Sequence, residues 1–150
     1  MGIYNKAAVL EKFNSKLKFY KFELPKLSRG QVLIKISYTS ICKSQIMEIE
    51  GGRNTTKWLP HMLGHEAVGE VIDKHSSCRK FKLGDPVIAT WIDSKGCKGS
   101  GGSIKIKNKK INYGPVNTFS KFSIISENKL VKKPIFLDKK LSPLFGCAVL

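Results

Sequence analysis

Gly64-His65-Glu66 is the stretch on which the reading of this 150-residue chain turns. It stands between Ser40-Ile41-Cys42-Lys43-Ser44 upstream and Phe145-Gly146-Cys147 downstream. Two thiols, an imidazole and a carboxylate form a ligand set suited to Zn²⁺. Three protein donors with a fourth position left for water or substrate separate a catalytic zinc from a structural one. Here the donors are scattered over roughly a hundred residues, whereas a zinc finger brings its ligands in close C-x₂₋₄-C pairs. The spacing predicts a folded cleft.

Working outward from this stretch, apolar and polar residues alternate and sustained helical periodicity is almost absent. Strands are expected at Lys6 to Leu10 and Leu17 to Glu23 around a turn at Asn14-Ser15, at Gln31 to Tyr38 and at Ala67 to Asp73. Further strands are expected at Asp85 to Trp91, Phe119 to Ser126 and Lys129 to Val131. Short strands with turn signals every ten residues or so predict a mainly β fold, a partly open β-barrel with short helical turns. The helical turns are placed at Ser44 to Glu50 and at Ser142-Pro143-Leu144-Phe145, the second with proline at its first position. Ser94 to Asn112, with Gly96, Gly99, Gly101 and Gly102 followed by lysines, is expected to be a flexible surface loop. It lacks the G-x-G-x-x-G pattern of a phosphate-binding turn.

The net charge of +16 is the extreme number in the composition. Such charge is the footprint of a nucleic-acid binder, yet only Arg29, Arg53 and Arg79 among the 27 basic residues are arginines. Bidentate readout of bases and phosphates favours arginine, and the lysines are dispersed, as in Ile104-Lys105-Ile106-Lys107, a strand with a solvated face. A solvated surface is the reading taken, with no specific nucleic-acid partner. No apolar run approaches the length of a membrane span. Met1 to Lys6 has neither a signal-peptide pattern nor, with Lys6 where Ser or Thr is wanted, a myristoylation site at Gly2. The expectation is a cytoplasmic chain in which Cys42, Cys78, Cys97 and Cys147 are thiols or metal ligands and the Asn54-Thr55-Thr56 sequon is silent.

These residues together resemble the N-terminal catalytic, GroES-like domain of the medium-chain zinc-containing alcohol dehydrogenases. The resemblance is carried by Lys6 to Val9, Gly30 to Lys35, Ile41-Cys42-Lys43-Ser44, Leu63 to Gly69, Lys82 to Val87 and Gly114 to Ser120. It implies one GroES-like domain over residues 1–150, with the nucleotide-binding Rossmann domain outside the chain. It implies that Cys42, His65 and Cys147 are ligands of one catalytic Zn²⁺, with Glu66 beside the metal as an outer carboxylate or occasional ligand. Ser44 would bond the substrate hydroxyl and begin a proton relay, Lys43 would meet the cofactor pyrophosphate, and Trp91 would line the substrate pocket. Read alone, Cys147 is equally a buried apolar thiol and Trp91 a core aromatic.

Three departures from the family pattern carry expectations of their own. Only Cys97 remains of the four cysteines that hold a structural zinc, so no second zinc should bind. Met47 stands where some members place a relay histidine, and His75 where the pattern has Gly or Ala. His61 and His75 are read as surface or turn histidines, and Cys78 and Cys97 as free thiols. The implied activity is NAD(P)-linked oxidation of an alcohol or polyol, or the reverse reduction of an aldehyde or ketone, with the chain inactive alone. A complementary Rossmann-domain chain or a second copy would be its partner. The alternatives are a non-catalytic remnant serving as an interaction module, and a basic nucleic-acid-binding β-barrel.

Overall fold

The computed structural model describes residues 3–52 and 56–149. Gly2, Arg53 and the Asn54-Thr55 part of the sequon lie outside the described residues. The fold is mainly β. The strands are β1 (Tyr4–Leu10), β2 (Lys18–Glu23), β3 (Gln31–Thr39), β4 (His61–Met62), β5 (Ala67–Lys74), β6 (Pro86–Ala89), β7 (Gly102–Ile106), β8 (Lys109–Tyr113), β9 (Phe122–Ser126) and β10 (Leu130–Lys132). Among the described residues one α-helix of about two turns, α1 (Lys43–Ile49), follows β3, and a 3₁₀ segment, Ser142–Gly146, follows β10.

Two five-stranded sheets result, in the orders β2-β1-β4-β8-β7 and β10-β6-β5-β3-β9. The segment between β8 and β9 joins them. Ala8 N–H donates to Phe119 O, Lys121 N–H to Lys6 O, and Ile36 N–H to Lys121 O, so one stretch of chain serves both sheets. The curled, incompletely closed sheet pair is the partly open barrel that the alternation implied.

β3 shows how position in the sheet overrides local pattern. Its sequence alternates, yet Gln31, Val32, Leu33 and Ile34 are all buried, so both faces of this central strand are covered at this end. The buried Gln31 amide is satisfied, its oxygen accepting from Ser28 N–H and its nitrogen donating to Ser100 O, as burial of a polar group requires. Val32, Ile34, Val71, Val87, Ile125 and Leu130 form the larger core cluster; Ala7, Val9, Phe22, Met62, Ile104 and Ile111 form a second one. Each such aliphatic side chain contributes about 1.5–3 kcal/mol on burial.

Of the segment expected as a flexible loop, 94–112, the first part (94–101) is irregular chain and the rest, from 102, is a pair of strands. β7 and β8 pair as a hairpin across the Lys107-Asn108 turn, and Ile104 and Ile111 reach the second core cluster. Before the hairpin, Ser94 N–H donates to Asn128 O, Cys97 N–H to Glu127 Oε2 and Gly99 N–H to Ser126 Oγ. The apolar residues of correct parity decide its structure, Ile106 packing on the same cluster, and the glycines and lysines around them disguised it.

Candidate metal centre

Three chain segments meet at the ends of strands. Cys42 is the N-cap residue of α1, extended at φ −79° and ψ 149°, and its carbonyl accepts from Gln45 N–H. His65 lies in the connection from β4 to β5. Leu63 O accepts from both Thr118 N–H and Phe119 N–H, and Glu66 O accepts from the Thr39 hydroxyl at 2.8 Å. Gly64 between them has φ +93°, and a Cβ there would stand 2.3 Å from Thr118 Oγ1. Only glycine makes this turn. Cys147 ends the 3₁₀ segment, which the Thr90 hydroxyl anchors by donating to Gly146 O at 2.7 Å.

The result is a cluster in which ligand atoms of Cys42, His65 and Cys147 lie within 4.8 Å of one another. The two sulfurs are 3.5 Å apart. Two thiolates about 2.3 Å from one tetrahedral zinc would be about 3.8 Å apart, so the spacing suits a shared ion. Glu66 is buried behind them. Its Oε2 accepts from Ala148 N–H at 3.2 Å, while Oε1 has no hydrogen-bond partner among the described residues. An uncompensated buried carboxylate oxygen beside two thiols is costly unless a cation balances it. The donor set, the spacing and this orphaned oxygen fit a Zn²⁺ ion.

The thiols are electrostatically unequal. The Ser44 hydroxyl, 3.4 Å from Cys42 Sγ, donates to it together with the Ser44 backbone, holding that thiol below its ordinary pKa. Burial pushes Cys147 up to about 11, with the neighbouring Cys42 and Glu66 adding to the rise and the Trp91 indole opposing it. A bound cation reverses this penalty by stabilising both thiolates.

Gln45 was not singled out from the sequence, yet it holds the imidazole. It is 4% exposed, its Oε1 accepts from Gly64 N–H at 2.6 Å, and its Nε2 lies 2.8 Å from His65 Nδ1. Its place three residues after Cys42 on α1 was the only sequence signal, and spacing alone does not mark a polar helical residue as buried.

The remaining candidates sort cleanly. Ser44 is at the cluster, against Cys42. Trp91 is half-exposed and lines an adjoining cavity of about 630 Å³, so it is not a core aromatic. Lys43 is exposed at the first residue of α1 and is not brought into the cluster. His75 occupies a turn, its Nδ1 2.9 Å from Ser77 Oγ. His61 differs from expectation: it lies in β4, pairs with Glu48 of α1 at 3.1 Å, and is only 15% exposed. Cys78 is buried and Cys97 half-buried, neither of them in the metal cluster.

A profile of the alcohol dehydrogenase GroES-like domain matches residues 28–135. An alcohol dehydrogenase of Geobacillus stearothermophilus is 35% identical over 89 residues, covering 59% of this chain and 26% of the relative. An NAD-dependent alcohol dehydrogenase of Sulfolobus acidocaldarius is 33% identical over 98 residues, 61% of this chain and 28% of the relative. The chain thus spans well under half the length of these curated relatives. Among solved structures, the alcohol dehydrogenase zinc-binding domain protein of Burkholderia ambifaria superposes with a TM-score of 0.82 at 15% identity, covering 99% of this chain and 47% of that one. A quinone oxidoreductase of Coxiella burnetii gives 0.73 at 19% identity over 97% of this chain and 42% of that one, so the shared fold leaves the reaction open. No helix among the described residues is long and apolar enough to cross a membrane.

Proposed function

Because the chain belongs to the alcohol dehydrogenase GroES-like domain family, we propose that it is the metal-holding catalytic domain of a zinc-dependent, NAD(P)-linked oxidoreductase acting on an alcohol or polyol, or on the corresponding carbonyl compound. The observation that carries this reading is the Cys42–His65–Cys147 cluster with the orphaned Glu66 oxygen behind it. Cys42, His65 and Cys147 would hold the ion and Glu66 would balance it from behind. Zinc there supplies a Lewis acid that lowers the pKa of an alcohol hydroxyl.

The chain's own residues supply the rest. Gln45, itself held by Gly64 N–H, orients the imidazole through its one hydrogen bond to His65 Nδ1. Ser44, whose hydroxyl donates to Cys42 Sγ, would hydrogen-bond a substrate hydroxyl and take its proton outward. Trp91 bounds the space a substrate would fill. Met47 does not line the cavity and cannot titrate, so the proton leaves by another route than a histidine at that position. Lys43, exposed at the start of α1, is free to meet a cofactor phosphate.

No G-x-G-x-x-G sequence occurs in the chain, and hydride transfer needs the nicotinamide held at near-attack distance. We therefore assign cofactor binding to a Rossmann domain outside residues 1–150, in a longer polypeptide or a complementary chain, and read these 150 residues as inactive alone. The thiol cluster suits the reducing cytoplasm, and the dispersed lysines are a solvated surface rather than a specific nucleic-acid site.

Metal analysis of the purified chain tests the reading. One zinc per chain is expected, lost in Cys42→Ser and His65→Ala. Two zincs per chain, or full zinc in both variants, would overturn it. Assays with NAD or NADP and a panel of alcohols should show turnover only when a Rossmann half is added.

A further inference from the structure

The cavity beside the metal cluster has walls of two kinds. Most are apolar or aromatic, contributed by Trp58, Met62, Leu63, Trp91, Tyr113 and Val116. Into this lining project His61 and Glu48, whose Nε2 and Oε1 are 3.1 Å apart and whose side chains are 15% and 14% exposed. His61 belongs to β4 and Glu48 to the last turn of α1, three residues beyond Gln45, which touches His65. One helix therefore links the metal end of the cavity to this polar pair.

A half-buried imidazole–carboxylate pair in an apolar wall costs desolvation that a purely structural tie between β4 and α1 could avoid with two aliphatic residues. Ligand cavities place a few polar groups in apolar walls where a ligand must be oriented. The volume points the same way. At about 30 Å³ per water the cavity holds about twenty, so a two-carbon alcohol would leave most of it wet. Two tryptophans offer flat apolar area for a ring.

On the reading given above, we propose that His61 and Glu48 are specificity-determining residues, and that they select aromatic alcohols bearing a second hydroxyl on the ring. A phenolic hydroxyl donates to the carboxylate and accepts from an imidazole N–H, satisfying both groups at once. A ring carboxylate would face Glu48 with like charge, and a bare ring would desolvate the pair without replacing its hydrogen bonds.

The chain carries two tryptophans and both line this cavity, so their fluorescence reports its occupancy. The zinc-loaded chain is titrated with benzyl alcohol, its meta- and para-hydroxy derivatives, para-carboxybenzyl alcohol and ethanol. A hydroxybenzyl alcohol should bind at least about tenfold tighter than benzyl alcohol, as expected for two added hydrogen bonds in a partly buried site. His61→Leu and Glu48→Gln should each abolish that preference while keeping zinc content, with benzyl alcohol bound at least as tightly as by the unaltered chain. Equal affinities, a preference that survives both variants, or tighter binding of the carboxylate overturns this inference alone. A chain that takes up no zinc overturns the functional reading on which it rests, and the inference with it.

Discussion

Gly146 packs so closely on Glu66 that a Cβ added to it would stand 2.8 Å from Glu66 Cβ and 2.4 Å from Ala89 O. The 3₁₀ segment that delivers Cys147 is thereby pressed onto the backbone of β6 and the base of the metal cluster. Gly146→Ala has no flexible neighbour to displace, so the segment must lift and carry Cys147 away. Zinc retention after dialysis should fall sharply while far-ultraviolet circular dichroism stays β-like. A variant that keeps one tightly held zinc would refute this account of how Cys147 is placed.

Gln45 touches no metal in the proposed site, yet it orients a ligand. Removing such a partner of a metal-bound histidine costs about 10–100-fold in affinity. Gln45→Leu should therefore weaken zinc by that factor in a competition titration with a chelator of known affinity. An unchanged affinity would mean that packing alone holds His65.

Zinc takes the thiolate forms, so binding must displace the thiol protons. Cys147, pushed up to about 11 by burial, is protonated at neutral pH in the metal-free chain. Apparent zinc affinity should rise with pH across the neutral range. Calorimetry in buffers of different ionisation enthalpy should register proton release, and a pH-independent affinity with none would exclude Cys147 as a ligand.

Glu11 is surrounded by Lys109, Lys18 and Tyr20, which hold its carboxyl at about 2. A depressed carboxyl stabilises the fold above its unfolded pKa, and that contribution is lost as pH falls from about 4.5 toward 2. Glu11→Gln should lower Tm by about 1–3 °C at neutral pH, the scale of an exposed ion-pair cluster in a chain of this size. The gap should close as pH drops through that window. A gap that widens in acid would reverse the sign assigned here.

The β7–β8 hairpin depends on Ile111, which is fully buried. Ile111→Ala should cost about 2–5 kcal/mol in urea unfolding, with proteolysis appearing first between 94 and 112. A cost near zero would restore the reading of this stretch as a loose loop.

How much of this was legible depends on the distance over which each signal acts. Strand patterns at Lys6 to Leu10 and Ala67 to Asp73 are local and were readable, as was the donor pattern around Gly64-His65-Glu66. The two-residue β4 was not, because it is created by its neighbours: His61 and Met62 pair with β1 on one side and β8 on the other. The hairpin was hidden for a related reason, since its core contacts come from a few apolar residues, Ile104, Ile106 and Ile111, set among many lysines and glycines.

The sequence by itself determined the mainly β class and the family, and it supplied the donor side chains on which the proposed metal site rests, because periodicity, turn glycines and donor types are properties of residues and their order. Tertiary structure alone decided that Cys42 and Cys147, 105 residues apart, bring their sulfurs to 3.5 Å. It alone decided that Gln45 is buried against His65, and that His61 meets Glu48 inside a cavity instead of facing solvent. Such contacts join side chains from separate elements, and their geometry is fixed only when β4, α1 and the 3₁₀ segment close onto the same end of the two sheets.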